Sequence, residues 1–228
     1  MRKTFGVAGE ALFSAVIASA RGYQTRAGRR IAGGLAILTR IIGGAGRGRR
    51  LETPGGLDTR PSGARVRQTL FDILAPTIRG SRFLDLFAGS GGVGFEALSR
   101  GAGLVVLVDR SALAVATLRR NAQGLARLAG QVEIYREEAI SALRRLAEAG
   151  ATFDLIYLDP PYASDLYEPL LALVAETSLL AANGSAIAEH FKKRVLPGTM
   201  GGLVRTREVR VGDHRLSFYR HQLPGGEE

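Results

Sequence analysis

The sequence predicts an α/β protein: a doubly wound, mostly parallel seven-stranded sheet with an antiparallel C-terminal hairpin and a small basic N-terminal extension. Three observations predict it. From Arg82 onward, apolar runs of strand length alternate with segments of helical period. The runs "RFLDLFAG", "GLVVLVDR" and "FDLIYLD" are continuous rather than alternating, as in strands buried on both faces. A glycine cluster, "AGSGGVG", sits directly between the first run and the first helical segment.

Taken in order, "RIIGGAGRGRRLETP" alternates glycine and arginine after a short apolar pair and reads as a strand or hairpin with a basic loop. "RPSGARVRQTLFDILAP" is a helix with Leu70, Ile73 and Leu74 on one face, Ser62 as its N-cap and Pro76 as its stop; Arg65 and Arg67 are expected to project from its first turns. Strands 82–89, 103–110, 131–137, 153–159 and 184–191 then alternate with helices 93–100, 111–126, 139–150 and 167–179. The last stretch, "LVRTREVRVGDHRLSFYRHQ", is two strands meeting at a Gly212-Asp213 turn. Right-handed βαβ units in this series stack into the predicted sheet.

Composition narrows the partners. The 228 residues are 46% hydrophobic and 23% charged, within the globular range, and no apolar run reaches the length of a membrane-spanning helix. Cysteine is absent, which excludes disulfides, zinc–thiolate sites and thiol catalysis. Residues 1–82 hold fifteen Arg/Lys against four Asp/Glu, a net +11; residues 83–228 hold sixteen against seventeen, a net −1. A neutral body with a strongly basic N-terminal third is the electrostatic footprint of a polyphosphate partner. Residues 1–38 loosely resemble a secretory signal, but Glu10 interrupts the apolar stretch; an arginine-rich organelle presequence shares the composition. They are expected to be a disordered or weakly helical extension translated from an upstream start.

Gly89, Gly91 and Gly94 fit G-x-G-x-x-G at the turn from the first strand into the first helix, where free helix N–H groups await an anionic or polar ligand. Glycines alone are weak evidence, since any tight turn favours them. Asp85 sharpens the signal as an acid inside a buried strand, and Asp109 ends the second strand twenty residues after Gly89, where a ribose hydroxyl pair is bound. NAD(P) and S-adenosylmethionine (SAM) both suit this layout.

The fourth strand separates them. It ends in Asp159-Pro160-Pro161-Tyr162. An exocyclic aromatic amine is a poor nucleophile, and two acceptors fixed beside it can hold both N–H bonds while positive charge builds on nitrogen. Asp159 and the Pro160 carbonyl supply those acceptors, the prolines lock the backbone, and Tyr162 offers a stacking face for the base.

The sequence at this point resembles the RsmD-type 16S rRNA (guanine(966)-N(2))-methyltransferases, class I SAM-dependent enzymes with a Rossmann-like fold that act in bacterial ribosome maturation. "RIIGGAGRGRRL", "RPSGARVRQTLFDIL", "LDLFAGSGGVGFEALSRGA", "DLIYLDPPY" and "VGDHRLSFYR" match in the family's order, from Arg40 to His221. The resemblance implies methyl transfer from SAM, without a metal, to a guanine N2 amine of 16S rRNA within a small-subunit assembly intermediate, by a cytoplasmic monomer. It implies that Asp85, Phe87, Gly89 and Gly91 line the methionine side and that Asp109 takes the ribose. Ser90, Gly94, Arg110, Glu138, Ala139 and Asp159 complete the cofactor set. Asp159, Pro160, Pro161 and Tyr162 would hold the guanine amine, and Arg47, Arg49, Arg50, Arg60, Arg65 and Arg67 would meet rRNA phosphates. The chain then divides into an extension (1–38), a basic RNA-binding hairpin and helix (39–80), the methyltransferase domain (81–223) and a tail (224–228).

Three positions depart from the family pattern: Glu138 stands where Asp or Asn is usual, and Ser111 and Ala64 where acids are common. The rival readings are a DNA amino-methyltransferase, for which no recognition domain is long enough; a nonenzymatic assembly factor, which has no need of the acids; and a dehydrogenase, which lacks a proton relay. His190, His214 and His221 read as surface or phosphate-contact residues. The C-terminal arginines 205, 207, 210, 215 and 220 suit either an extended RNA surface or the solvent face of a hairpin.

Overall fold

The computed structural model describes residues 39–53, 61–161 and 164–222. Arg60, Tyr162, residues 1–38 and residues 224–228 therefore lie outside the described residues. A small hairpin comes first, with β1 (Thr39–Arg40) antiparallel to β2 (Arg50–Leu51) and Thr39 opposite Leu51. Helix α1 (Pro61–Leu74) buries Val66, Leu70, Phe71 and Leu74 along one stripe. Pro61 takes the first helical position, where its missing N–H costs nothing, so Ser62 is the second helical residue and not the cap.

The body alternates as predicted: β3 (Arg82–Asp85), α2 (Gly92–Ser99), β4 (Leu104–Asp109), α3 (Ala112–Gly124), β5 (Gln131–Arg136), α4 (Ala139–Glu148), β6 (Phe153–Leu158), α5 (Tyr167–Glu176) and β7 (Leu180–Phe191). Then follow β8 (Thr199–Met200), β9 (Leu203–Val211) and β10 (His214–His221). The main sheet runs β5-β4-β3-β6-β7-β10-β9-β8, parallel from β5 to β7 and antiparallel beyond. It has eight strands, one more than predicted, because Thr199 and Met200 pair with the start of β9 in a ladder too short to leave a sequence pattern.

Both faces are covered. Leu84, Val106, Ile156 and Ala186 pack against Leu143, Leu146, Leu170 and Val174 of α4 and α5. Phe83, Val105, Leu107 and Tyr157 face Leu70 and Phe71 of α1, Phe95 of α2 and Leu118 of α3. Complete burial of each such side chain contributes about 1.5–3 kcal/mol. This two-sided cover is why the strand runs are continuous.

Chain direction across the sheet reverses beside β3: β4 and β5 lie on one side, β6 and β7 on the other. In open α/β sheets, ligands bind at such a switch point, outside the carboxyl ends of the strands. Asp85 ends β3 and Asp159 follows β6, so both acids stand at that crevice.

Candidate active site

The glycine loop between β3 and α2 is built by three separate constraints. A Cβ on Gly94 would stand 2.2 Å from the Leu107 side chain, so only glycine lets α2 lie this close to β4. Gly91 takes φ 82° to turn the chain into the helix. A Cβ on Gly89 would meet nothing within 4 Å, so that side of the loop opens onto the crevice. The loop is tied on one side by Asp109, whose Oδ2 accepts the Gly89 N–H at 2.9 Å while Oδ1 accepts that of Ser111 at 2.8 Å. Asn121 of α3 ties it on the other, donating to the Ser90 carbonyl at 2.9 Å. Ser111 stands where family members often carry an acid; here its Oγ accepts the Ala114 N–H at 3.3 Å and caps α3.

Asp85 is 1% exposed. Burial raises its carboxyl to about 7, against partial relief from the N–H groups of Phe87 and Gly94. An acid whose folded value lies above the unfolded one is held protonated by folding, so its contribution declines as pH rises from about 4 to about 7. Stability of the free protein should therefore fall between pH 4 and 8 relative to an Asp85→Asn variant. Paired thermal melts across that range check this, and parallel curves would contradict it.

Asp159 is partly buried beyond β6. Burial holds its carboxyl well above the usual carboxylate range, and the charges of Glu189 and Asp85 push it further. Glu189 on β7 accepts a hydrogen bond from the Tyr157 hydroxyl and lies 2.8 Å from His214 Nδ1 of β10. The sequence reading did not single out Glu189, Tyr157 or His214. Their signal is a buried acid near the end of a strand, but the partners are joined only by the β6-β7 and β7-β10 pairings. His190 and His214 are buried, not on the surface as expected: His190 Nε2 is 2.9 Å from Ser217 Oγ, and burial lowers its proton affinity. His221 is partly buried, 3.3 Å from the Leu180 carbonyl.

Ala139 is buried at the start of α4; Glu138 and Arg110 are exposed, 3.7 Å apart, on the rim beyond β5 and β4. Phe87 is partly buried at the crevice edge. Pro160 is buried and Pro161 exposed. The site therefore brings together Asp85, Phe87, the glycine loop, Asp109 and Asp159 at one sheet edge.

The basic hairpin is fastened to the body through Glu96 of α2, which is 0% exposed. Its carboxylate oxygens accept the Ile42 and Gly43 N–H groups, both at 2.7 Å, and the Arg100 Nε at 2.8 Å. Arg47, Arg49, Arg50 and Arg65 are exposed, with Arg49 donating to the Gly124 carbonyl at 2.5 Å. Arg67 does not project as expected but turns inward, 10% exposed and 3.9 Å from Glu96. On the C-terminal hairpin, Arg205 and Arg215 both pair with Glu208, while Arg207 and Arg210 are exposed.

A doubly wound sheet with a glycine loop and two acids at its switch point is the fold of SAM-dependent methyltransferases, and the protein is a methyltransferase. A solved Escherichia coli chain provisionally described as a methyltransferase superimposes with a TM-score of 0.70 at 32% identity, covering 81% of this chain and 98% of that one. The chain belongs to the family described as Conserved hypothetical protein 95, which matches residues 39–220. It is 34% identical over 186 residues to Ribosomal RNA small subunit methyltransferase D of Escherichia coli strain K12, covering 82% of this chain and 91% of that protein. It is 39% identical over 181 residues to YlbH of Bacillus subtilis strain 168, provisionally named an rRNA methyltransferase, covering 79% and 98%. The RsmD-type resemblance is thereby borne out. Among the described residues, no helix is long and apolar enough to cross a membrane.

Proposed function

We propose that the protein transfers a methyl group from SAM to the N2 amine of a guanine in 16S rRNA, the base numbered 966 in the family name, during small-subunit maturation. The observation that carries this is the placement of Asp85 and Asp159 at the ends of adjacent parallel strands, one beside an open glycine loop and the other followed directly by two prolines. The residues fit the cofactor: Gly89 leaves open space, Asp85 is a buried acid suited to an ammonium, and Asp109 stands partly exposed beside the loop. In this reading Phe87, Ser90 and Gly91 line the amino-acid end, Asp109 and Arg110 flank the ribose, and Glu138 and Ala139 border the adenine.

Bound SAM supplies a methyl activated on a sulfonium. The chain's own part is positioning and electrostatics. Asp159 as carboxylate and the Pro160 carbonyl accept the two amine N–H bonds, which turns the nitrogen lone pair toward the methyl. Asp159 then takes the proton that the methylated amine must lose. A cation in the crevice favours the ionised forms of Asp85 and Asp159, so cofactor binding readies the acceptor. Tyr162, which lies outside the described residues, is the residue assigned to stack on the base.

The RNA reading rests on the exposed arginines of the hairpin and of α1. Replacing Arg47, Arg50 and Arg65 with alanine should reduce the slope of log affinity against log salt by about two to three, at 0.7–0.9 per lost phosphate contact. Filter binding of small-subunit rRNA across a salt series measures it; an unchanged slope would mean the arginines face only solvent. Labelled-methyl transfer tests the reading itself: small-subunit rRNA should accept label, and transfer to duplex DNA alone would overturn the substrate class.

A further inference from the structure

We propose that Glu189 of β7 is a positioning residue for methyl transfer, a second carboxylate that acts through its neighbour Asp159; this rests on the acceptor role given to Asp159 above. Strand register puts the two acids side by side. Tyr157 pairs with Ile187 and Leu158 with Ala188 across β6 and β7, and Asp159 and Glu189 are the next residue on each chain segment. Residues two apart on a strand share a face, so Glu189 follows Ile187 onto the face covered by α1, where Tyr157 also lies. Neighbouring strands run about 4.8 Å apart, which keeps the two acids close. Besides burial, the charge of Glu189 acts on Asp159 most strongly, ahead of that of Asp85.

Glu189 is 7% exposed, and both of its carboxylate oxygens are engaged: Oε2 accepts the Tyr157 hydroxyl, and Oε1 stands 2.8 Å from His214 Nδ1 of β10. Its main-chain carbonyl accepts the Tyr167 hydroxyl of α5 at 2.8 Å. The titratable and charged groups that face it are Asp159, Asp85 of β3, Tyr157 of β6, His214 of β10 and Arg67 of α1. Asp213, next to His214, is taken by Lys192 at 2.6 Å. A brace between strands has no need of a carboxylate beside a second buried acid, because like charges away from water repel. The repulsion has a use at Asp159. A carboxylate of raised proton affinity is the stronger acceptor for the proton that the amine loses as its N–C bond forms and the methyl leaves sulfur. Glu189 thus ties the pH at which Asp159 ionises to the charge held between Tyr157 and His214.

Single-turnover methyl transfer from labelled SAM to small-subunit rRNA, measured from about pH 5 to 8, tests this. The wild-type rate should rise with pH as Asp159 ionises. Glu189→Gln keeps an acceptor for the Tyr157 hydroxyl but removes the charge, so the rise should move to lower pH by about one unit. At the acid end the variant should then retain about ten times more of its own plateau rate than wild type does. Glu189→Asp, which keeps the charge, should return the rise toward its wild-type position. A uniform loss of rate in Glu189→Gln with the rise unmoved would make Glu189 a structural brace and overturn the assignment, as would a flat wild-type profile. The rise should persist in His214→Gln; its disappearance there would assign the titration to His214 and overturn the proposal as well. If the wild-type protein transferred no label to rRNA at any pH, the methyl-transfer reading itself would fall.

Discussion

Asp159→Ala is expected to lower kcat for methyl transfer by about a hundredfold to a thousandfold, the range for losing one preorganised group that stabilises transition-state charge. SAM affinity should change by less than about threefold, since the lost interaction belongs to the acceptor amine. The division of labour follows from position. Asp85 ends β3 at the glycine loop, whereas Asp159 lies just beyond β6, ahead of Pro160 and Pro161. Removing Asp159 also removes one carboxylate from the cluster it shares with Asp85 and Glu189, so the folded protein should not suffer. Single-turnover rates and equilibrium titration on the same preparation check both halves. A parallel collapse of rate and SAM affinity would contradict the separation.

Glu96→Ala is expected to destabilise the protein by about 3–5 kcal/mol, the usual cost of removing one partner from a buried ionic cluster. Glu96 accepts the Ile42 and Gly43 N–H groups and the Arg100 guanidinium, and it lies beside Arg67. Its loss leaves two backbone donors and the Arg100 Nε without that acceptor and removes the carboxylate nearest Arg67. Denaturant unfolding gives the magnitude, and a loss under about 1 kcal/mol would mean that water or another acid takes over. Since Glu96 holds the basic hairpin to the helix that follows the glycine loop, RNA affinity should fall with it.

The strand series, the direction of the sheet and the crevice acids were all legible in the sequence, because each rests on local signals: continuous apolar runs, a glycine turn and a proline stop. The C-terminal hairpin was legible from Gly212-Asp213 between two alternating segments, and Gly212 does take φ 63° at the turn. What stayed hidden depends on contacts between distant parts of the chain. Glu96 reads as one more helical residue in "VGFEAL", yet its partners lie 53 and 54 residues earlier. Glu189 and His214 meet only through strand register. Arg67 was open to a better reading, since the spacing of "RVR" already requires its two arginines to face opposite sides of a helix. Two-residue β8 gives no periodicity to detect.

The most direct measurement of the central claim is nucleoside analysis after incubation with labelled SAM and four acceptors: unmodified small-subunit particles, naked small-subunit rRNA, large-subunit rRNA and duplex DNA. N2-methylguanosine confined to the small-subunit acceptors is the predicted result. N6-methyladenine in DNA, or a methylated nucleoside other than N2-methylguanosine in the rRNA, would contradict it.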